Sequence, residues 1–328
     1  MQIVFLNTFE KVVGDSQSRE AALTISEREG IWFVQWAAGE PEQELWYEGG
    51  YWEELLASFR HGIAVKMGEG YVPIIDGMLD DRRAIAGEGS LRAKLQCYGE
   101  LHANAALFEA LREWRRAHAV IEKKTAYMIA NNRMLWMISA YVPHTLEQLR
   151  QIPGWGEGKQ ASYGEEIIQI TGQYEQPRSF PLDWVMDEID PDQYAQWLFK
   201  QKETKFKAQM GRHQKQRLLL ELLKEGKSLE QMQEQLELPR REVMERIERL
   251  DLEGYDVEPL IERELKEMPE AEQQLVWDAL TIVGDKYLKP VMHSVYGEEP
   301  AAGASLDKLY DRLRLIRLRY RRMRPDAG

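Results

Sequence analysis

Ile152-Pro153-Gly154-Trp155-Gly156-Glu157-Gly158-Lys159 is a glycine-punctuated turn between two helical patterns. The stretch it belongs to, Leu107 to Thr171, decides the fold of the middle of the chain. Upstream, Leu107, Phe108, Leu111 and Trp114 recur on one helical face, with Arg112, Arg115 and Arg116 near its edge. Ala126-Tyr127-Met128-Ile129 opens a second apolar segment, and Asn131 or Asn132 caps a third helix carrying Leu135 and Ile138. Thr145-Leu-Glu-Gln148 has capping-box spacing, in which the Thr hydroxyl and the Gln side chain satisfy each other's backbone donors. After the turn, Tyr163-Gly164 leads a last helix with Ile167, Ile168 and Ile170 inward, and Gly172 ends it. The expectation is a compact five-helix module.

Two readings of the turn stay open. Gly154, Gly156 and Gly158 have no side chains to block a phosphate and precede a helix whose first N–H groups lack partners. Lys159 adds a point charge, and Trp155 offers a stacking face for an unpaired base. Alternatively the glycines only make a tight helix-to-helix turn and Trp155 packs inside. Residues 101–175 hold eight basic and eight acidic side chains, so any binding face must be a local patch. Arg112, Arg115, Arg116, Lys123 and Lys124 are its candidates.

This order of residues resembles the HRDC domain, the small helical module of RecQ-type helicases and RNase D. The matching positions are Leu107, Leu111, Trp114, Arg115, Ala126, Tyr127, Ile129, Leu135, Leu149, Ile152, Pro153, Gly154, Gly156, Lys159, Tyr163, Gly164 and Ile167. Asn131-Asn132 departs from the family, where an Asp often precedes the third helix, but keeps a capping residue. The resemblance implies weak nucleic-acid binding, often of single-stranded DNA, and no chemistry of the module's own.

Composition bounds the remainder. With 328 residues, 44% hydrophobic and 30% charged, the chain has room for two or three folded domains. Cys97 is the only cysteine, so no disulfide forms within the chain. No signal-peptide pattern or bilayer-length apolar run is present, and a cytoplasmic, bacterial-type protein is expected. The net charge is −12, of which residues 1–100 contribute −8. Against that trend, Lys200 to Arg217 hold seven basic residues and one acid, and Arg312 to Arg324 hold seven arginines and none. Anchoring the last helix by Leu306, Leu309, Leu313, Ile316, Tyr320 and Met323 would leave a basic ridge for phosphates; pairing with the acidic N-terminal region is the competing reading.

The predicted fold is mainly α, α+β overall, in four parts. Residues 1–100 form a small acidic α+β domain, with strands in Gln2–Thr8, Ala21–Ser26, Ile31–Trp36 and Glu44–Tyr47, a helix from Trp52 to Met67 and a return strand in 71–75. That order resembles the WGR domain of poly(ADP-ribose) polymerases, but the Trp-Gly-Arg signature is missing and no residue is carried over. Trp46, Tyr47, Tyr51 and Trp52 are the first surface to test for a protein partner. Residues 101–175 are the HRDC-like bundle. Residues 176–215 are a proline-bearing linker and a basic helix, where Tyr194, Trp197 and Phe206 sit among lysines. Residues 216–328 are a helix-turn-helix and helical domain. There Ser228-Leu-Glu-Gln231 is a second capping box and Pro239 starts the last helix of the motif, placing Arg240 and Arg241 where such units read bases. Glu242, Glu245 and Glu248 on that helix would repel phosphates. This layout, with Glu253-Gly-Tyr255 and Leu288-Lys-Pro290, resembles the region following HRDC modules in some bacterial RecQ helicases.

Gly158-Lys159 is followed by Gln160 and is no phosphate loop, and no exonuclease or zinc spacing occurs. Asp76, Asp80 and Asp81 are the one carboxylate cluster that could hold Mg²⁺ for phosphodiester hydrolysis; a solvated acidic turn reads the same way. The expectation is a non-catalytic accessory protein without metal or cofactor. It would bind DNA (single-stranded or structured), with RNA as a second possibility, and would not contact membranes. An adaptor recruiting a protein through the acidic domain is the alternative, and a metal-dependent nuclease the third.

Overall fold

The computed structural model describes residues 1–13, 17–39, 43–75, 90–298 and 305–323. Two compact units divide it, residues 1–209 and 210–328. The fold is mainly α with an α+β N-terminus.

Unit 1 opens with an antiparallel sheet of β1 (Gln2–Val13), β2 (Gln17–Arg28), β3 (Ile31–Ala37), β4 (Gln43–Gly49) and β5 (Val72–Pro73), ordered β4-β3-β2-β1-β5. Alternation puts Phe9, Leu23, Val34 and Trp36 on one face, where helix α1 (Trp52–Gly68) covers them with Leu55 and Ile63. Gly62 sits against Trp46 so closely that a Cβ there would lie 2.2 Å from the indole. Trp46 in turn stacks on Trp36 at 5.5 Å. Trp46 and Tyr47 therefore belong to this packing, and only Tyr51 and Trp52 of the proposed partner surface are exposed.

The helical module comprises α2 (Leu91–Leu101), α3 (Ala105–Ile121), α4 (Ala126–Ile129), α5 (Asn132–Tyr141), α6 (Leu146–Leu149) and α7 (Glu157–Thr171). The last five are the expected helices. Helix α2 was not anticipated, because its apolar residues are few and it follows a Gly-rich stretch. Ser90 caps it, accepting from the Ala93 N–H at 3.3 Å. Its Leu95 and Cys97 join the module's core, and Gly99 allows close approach to α5, where a Cβ would meet Met137 Cγ at 2.7 Å. The proline-bearing stretch also packs into this core. A 3-10 turn, Leu182–Trp184, leads to α8 (Val185–Glu188), and Leu182, Val185 and Ile189 are buried. Lys94 donates to the Met186 carbonyl at 2.7 Å, tying α2 to α8.

Helix α9 (Pro191–Lys224) is one continuous element of 34 residues, and the division between the units falls within it. Unit 2 adds α10 (Leu229–Leu236), α11 (Arg240–Leu252), α12 (Glu258–Leu265), α13 (Glu270–Val283), α14 (Leu288–Tyr296) and α15 (Leu306–Met323). The Ser228/Gln231 capping box is present with both bonds, and α11 starts after Pro239 as expected. Helix α15 is more central than a surface ridge. Leu315 and Leu318 are buried beside Leu309, Leu313, Ile316 and Tyr320, since α11, α12, α13 and α14 all pack on it. Leu306 and Met323, expected in the stripe, are exposed.

Candidate nucleic-acid interface

Asn104 caps α3 through the Leu107 N–H at 3.1 Å, and Leu107 and Leu111 seat it in the core. It ends at Glu122, and Lys123, with φ +52°, turns the chain toward α4. Asn131 caps α5, accepting from the Met134 N–H at 3.0 Å. Thr145 accepts from the Gln148 N–H at 3.2 Å. The Gln148 side chain, however, accepts from the His144 N–H at 2.7 Å, so the reciprocal half of the expected capping box is displaced by one residue.

The glycine turn is built for packing. Gly154 has φ +89°, and a Cβ on it would lie 2.8 Å from Met134 Cε. Trp155 is 3% exposed and its indole N–H donates to Gln160 at 2.8 Å, so no base can stack on it. Gly156 starts α7 with extended backbone, and no side chain caps the helix. The first residue of α7 is Glu157, an acid paired with Arg150, which opposes a phosphate there.

Lys159 and Arg115 reach the same segment from opposite helices. Lys159 Nζ donates to the Met128 carbonyl at 2.7 Å and to that of Ile129, capping α4. Burial holds its pKa below the ordinary lysine value, and Lys124 adds to the effect. Arg115 donates to the Ala130 carbonyl at 2.9 Å and to Asn132 Oδ1 at 2.8 Å. Burial lowers its pKa also, with Arg112 and Arg116 contributing repulsion. Both cations are stitches for residues 128–132 and have little left to offer a phosphate.

What they hold in place is exposed. Tyr127 is 71% exposed, and Met128, Val120 and Ile121 lie open beside it in sequence. Lys123 and Arg116 are exposed without a carboxylate partner among the described residues. Lys124 pairs with Glu122 at 2.7 Å, and Arg112 with Glu109 at 2.7 Å. Lys124 and the Tyr163 hydroxyl hold the Glu122 carboxyl below its usual range. The α3–α4 turn thus joins an aromatic ring, three aliphatic side chains and a lysine pair.

Residues 104–171 match the HRDC domain family. This chain carries an HRDC domain. No curated protein and no solved structure matches the chain. The match suggests a nucleic-acid-associated role for this module, of a kind that usually does no chemistry. Nothing in the local sequence separated Tyr127 from Trp155 as the open aromatic; its place on the outward side of a short helix, whose Ile129 is buried, did so.

The basic residues of unit 2 lie differently from their expected placement. Arg240 Nε donates to Asp311 at 2.5 Å, and Asp311 is 5% exposed; Glu230 and Glu264 stand at 3.9 and 4.0 Å from the same guanidinium. Arg241 is exposed and pairs with Glu245 at 2.8 Å. Arg317 pairs with Glu248, Arg319 with Glu258, Arg321 with Asp285 and Arg322 with Asp251, all within the unit. The described C-terminal arginines therefore pair with acids of their own unit rather than forming a free ridge. Asp76, Asp80, Asp81 and Arg324 lie outside the described residues. Among those described, no group of three His, Cys, Asp or Glu could hold a metal, and no helix is long and apolar enough to cross a membrane.

Proposed function

We propose that this protein is a non-catalytic accessory factor that binds single-stranded or junction DNA through the α3–α4 turn of its HRDC domain. The observation that carries this is the exposure of Tyr127 beside Lys123 and Lys124 in a family of nucleic-acid-associated modules. Unpaired bases stack on the tyrosine and on the aliphatic surface, while phosphates meet Lys123, Lys124 and Arg116. A duplex hides its base faces from such a surface, which favours unpaired strands. The C-terminal RecQ-like layout and a cytoplasmic, bacterial setting in repair or recombination fit this reading.

Fluorescence anisotropy of labelled single-stranded, duplex and forked DNA tests it. Tyr127→Ala is expected to weaken single-strand binding by about 1–3 kcal/mol, the usual contribution of one stacked base. Lys123→Glu/Lys124→Glu should weaken it further, chiefly at low salt. Unchanged binding in both variants would transfer the role to the adaptor reading, which has its own supporting feature. Strand β1 exposes Ile3, Val4 and Leu6 in the acidic domain.

A further inference from the structure

Most cations of unit 2 are spent on its own carboxylates, as described for Arg240, Arg241, Arg317, Arg319, Arg321 and Arg322. Lys286 and Lys289 are exceptions. Both are exposed, and neither has a carboxylate partner among the described residues. Between them stands Tyr287, 65% exposed, with Lys286 Nζ 5.5 Å from its ring centroid. Two more apolar side chains, Ile282 (84% exposed) and Val283, end the preceding helix α13 without cover.

The turn holding these residues is fixed from behind. Gly284 leaves α13 with φ +85°, and Arg321 on α15 grips the next residue twice, through the Asp285 carboxylate at 2.5 Å and its carbonyl at 3.2 Å. That grip neutralises the one acid in the turn. Tyr287 then enters α14 with extended backbone. The result has the chemistry of the α3–α4 turn: an aliphatic pair at a helix end, two lysines and an open tyrosine.

We propose that the α13–α14 turn is a second contact site for single-stranded nucleic acid. Base faces stack on Tyr287 and against Ile282, and Lys286 and Lys289 take the flanking phosphates. An exposed apolar surface of this kind asks for an occupant, and the unpartnered lysines beside it select an anionic one. The site goes beyond the HRDC reading and shares only its ligand class. Two weak sites on one chain raise the affinity for one long strand above that of either alone, where the strand reaches both.

The test uses the full chain and a single-stranded oligonucleotide containing 5-bromodeoxyuridine, read by photo-cross-linking with peptide mapping and by anisotropy. Cross-links are expected within residues 282–289, and they should persist when Lys123→Glu, Lys124→Glu and Tyr127→Ala are combined. Tyr287→Ala should weaken binding about fivefold or more, as for loss of one stacked base. Lys286→Glu/Lys289→Glu, both on the surface, should flatten the slope of log affinity against log salt by about 1.4, at ~0.7 for each phosphate contact. Wild-type affinity and slope in these variants, with cross-links confined to residues 104–171, would overturn the site and leave the HRDC reading intact. Loss confined to the unit 2 variants would do the reverse. A change of oligomeric state in Tyr287→Ala with binding unaltered would also overturn it, as the mark of a contact between copies of the chain.

Discussion

Three residues that the sequence placed in one candidate site, Gly154, Trp155 and Lys159, all maintain the domain, whereas Tyr127, which was not among them, is the exposed aromatic. Gly154→Ala forces a side chain into the left-handed region and toward Met134, and should cost about 1–2 kcal/mol or more in a thermal melt. Lys159→Met leaves the carbonyls of Met128 and Ile129 without their donor and should cost about 1–3 kcal/mol. Tyr127→Ala should leave the stability within about 0.5 kcal/mol of wild type, since its ring is solvated. Equal destabilisation by Tyr127→Ala and Lys159→Met would contradict this separation. Residue types were legible in the sequence, but their assignment to packing or binding was not, because a tryptophan and a tyrosine carry similar π faces and only burial distinguishes them.

At the scale of elements, helix α15 shows how charge can mislead. Seven arginines in a short run read as a polyanion-binding ridge, yet the described ones are turned toward acids of α11, α12, α13, the α13–α14 turn and α15 itself. Arg240→Ala would leave the buried Asp311 with only Arg314, at 3.8 Å, to offset its charge, and should destabilise unit 2 by about 1–3 kcal/mol. Arg241→Ala removes only an exposed i,i+4 pair and should change stability by less than about 0.5 kcal/mol. Denaturant melts of the two variants check the contrast. The pH dependence follows from Asp285, whose carboxyl is held below its ordinary value of 3.8 by the hydrogen bond from Arg321. Its folded pKa is depressed, so its contribution is fully present above the unfolded value and is lost as pH falls through the folded one. Asp285→Asn should therefore lower unit 2's stability at pH 6, and the difference from wild type should shrink as pH falls below the ordinary carboxyl value of 3.8, by circular dichroism.

For the whole molecule, the net charge of −12 sets the expectation that binding is local and readily screened. Affinity for a single strand should fall linearly in log–log form with salt, with a slope of about −0.7 for each phosphate contact made. A salt-independent affinity would place the function elsewhere. Sequence by itself determined the sheet with its covering helix, the five helices of the HRDC domain, a cap at Asn131 or Asn132, the Ser228 capping box, and the helix-turn-helix. All of these rest on interactions within a few residues, through periodicity, turn chemistry and caps. It did not show helix α2, the docking of Leu182 and Val185, the stitching by Arg115 and Lys159, or the consumption of the C-terminal arginines. Those depend on which distant groups come into contact: Met137 for Gly99, Met128 for Lys159, Asp311 for Arg240. A charge or an aromatic ring has the same local signature whether it is paired, buried or free, and only the tertiary structure decides among those states.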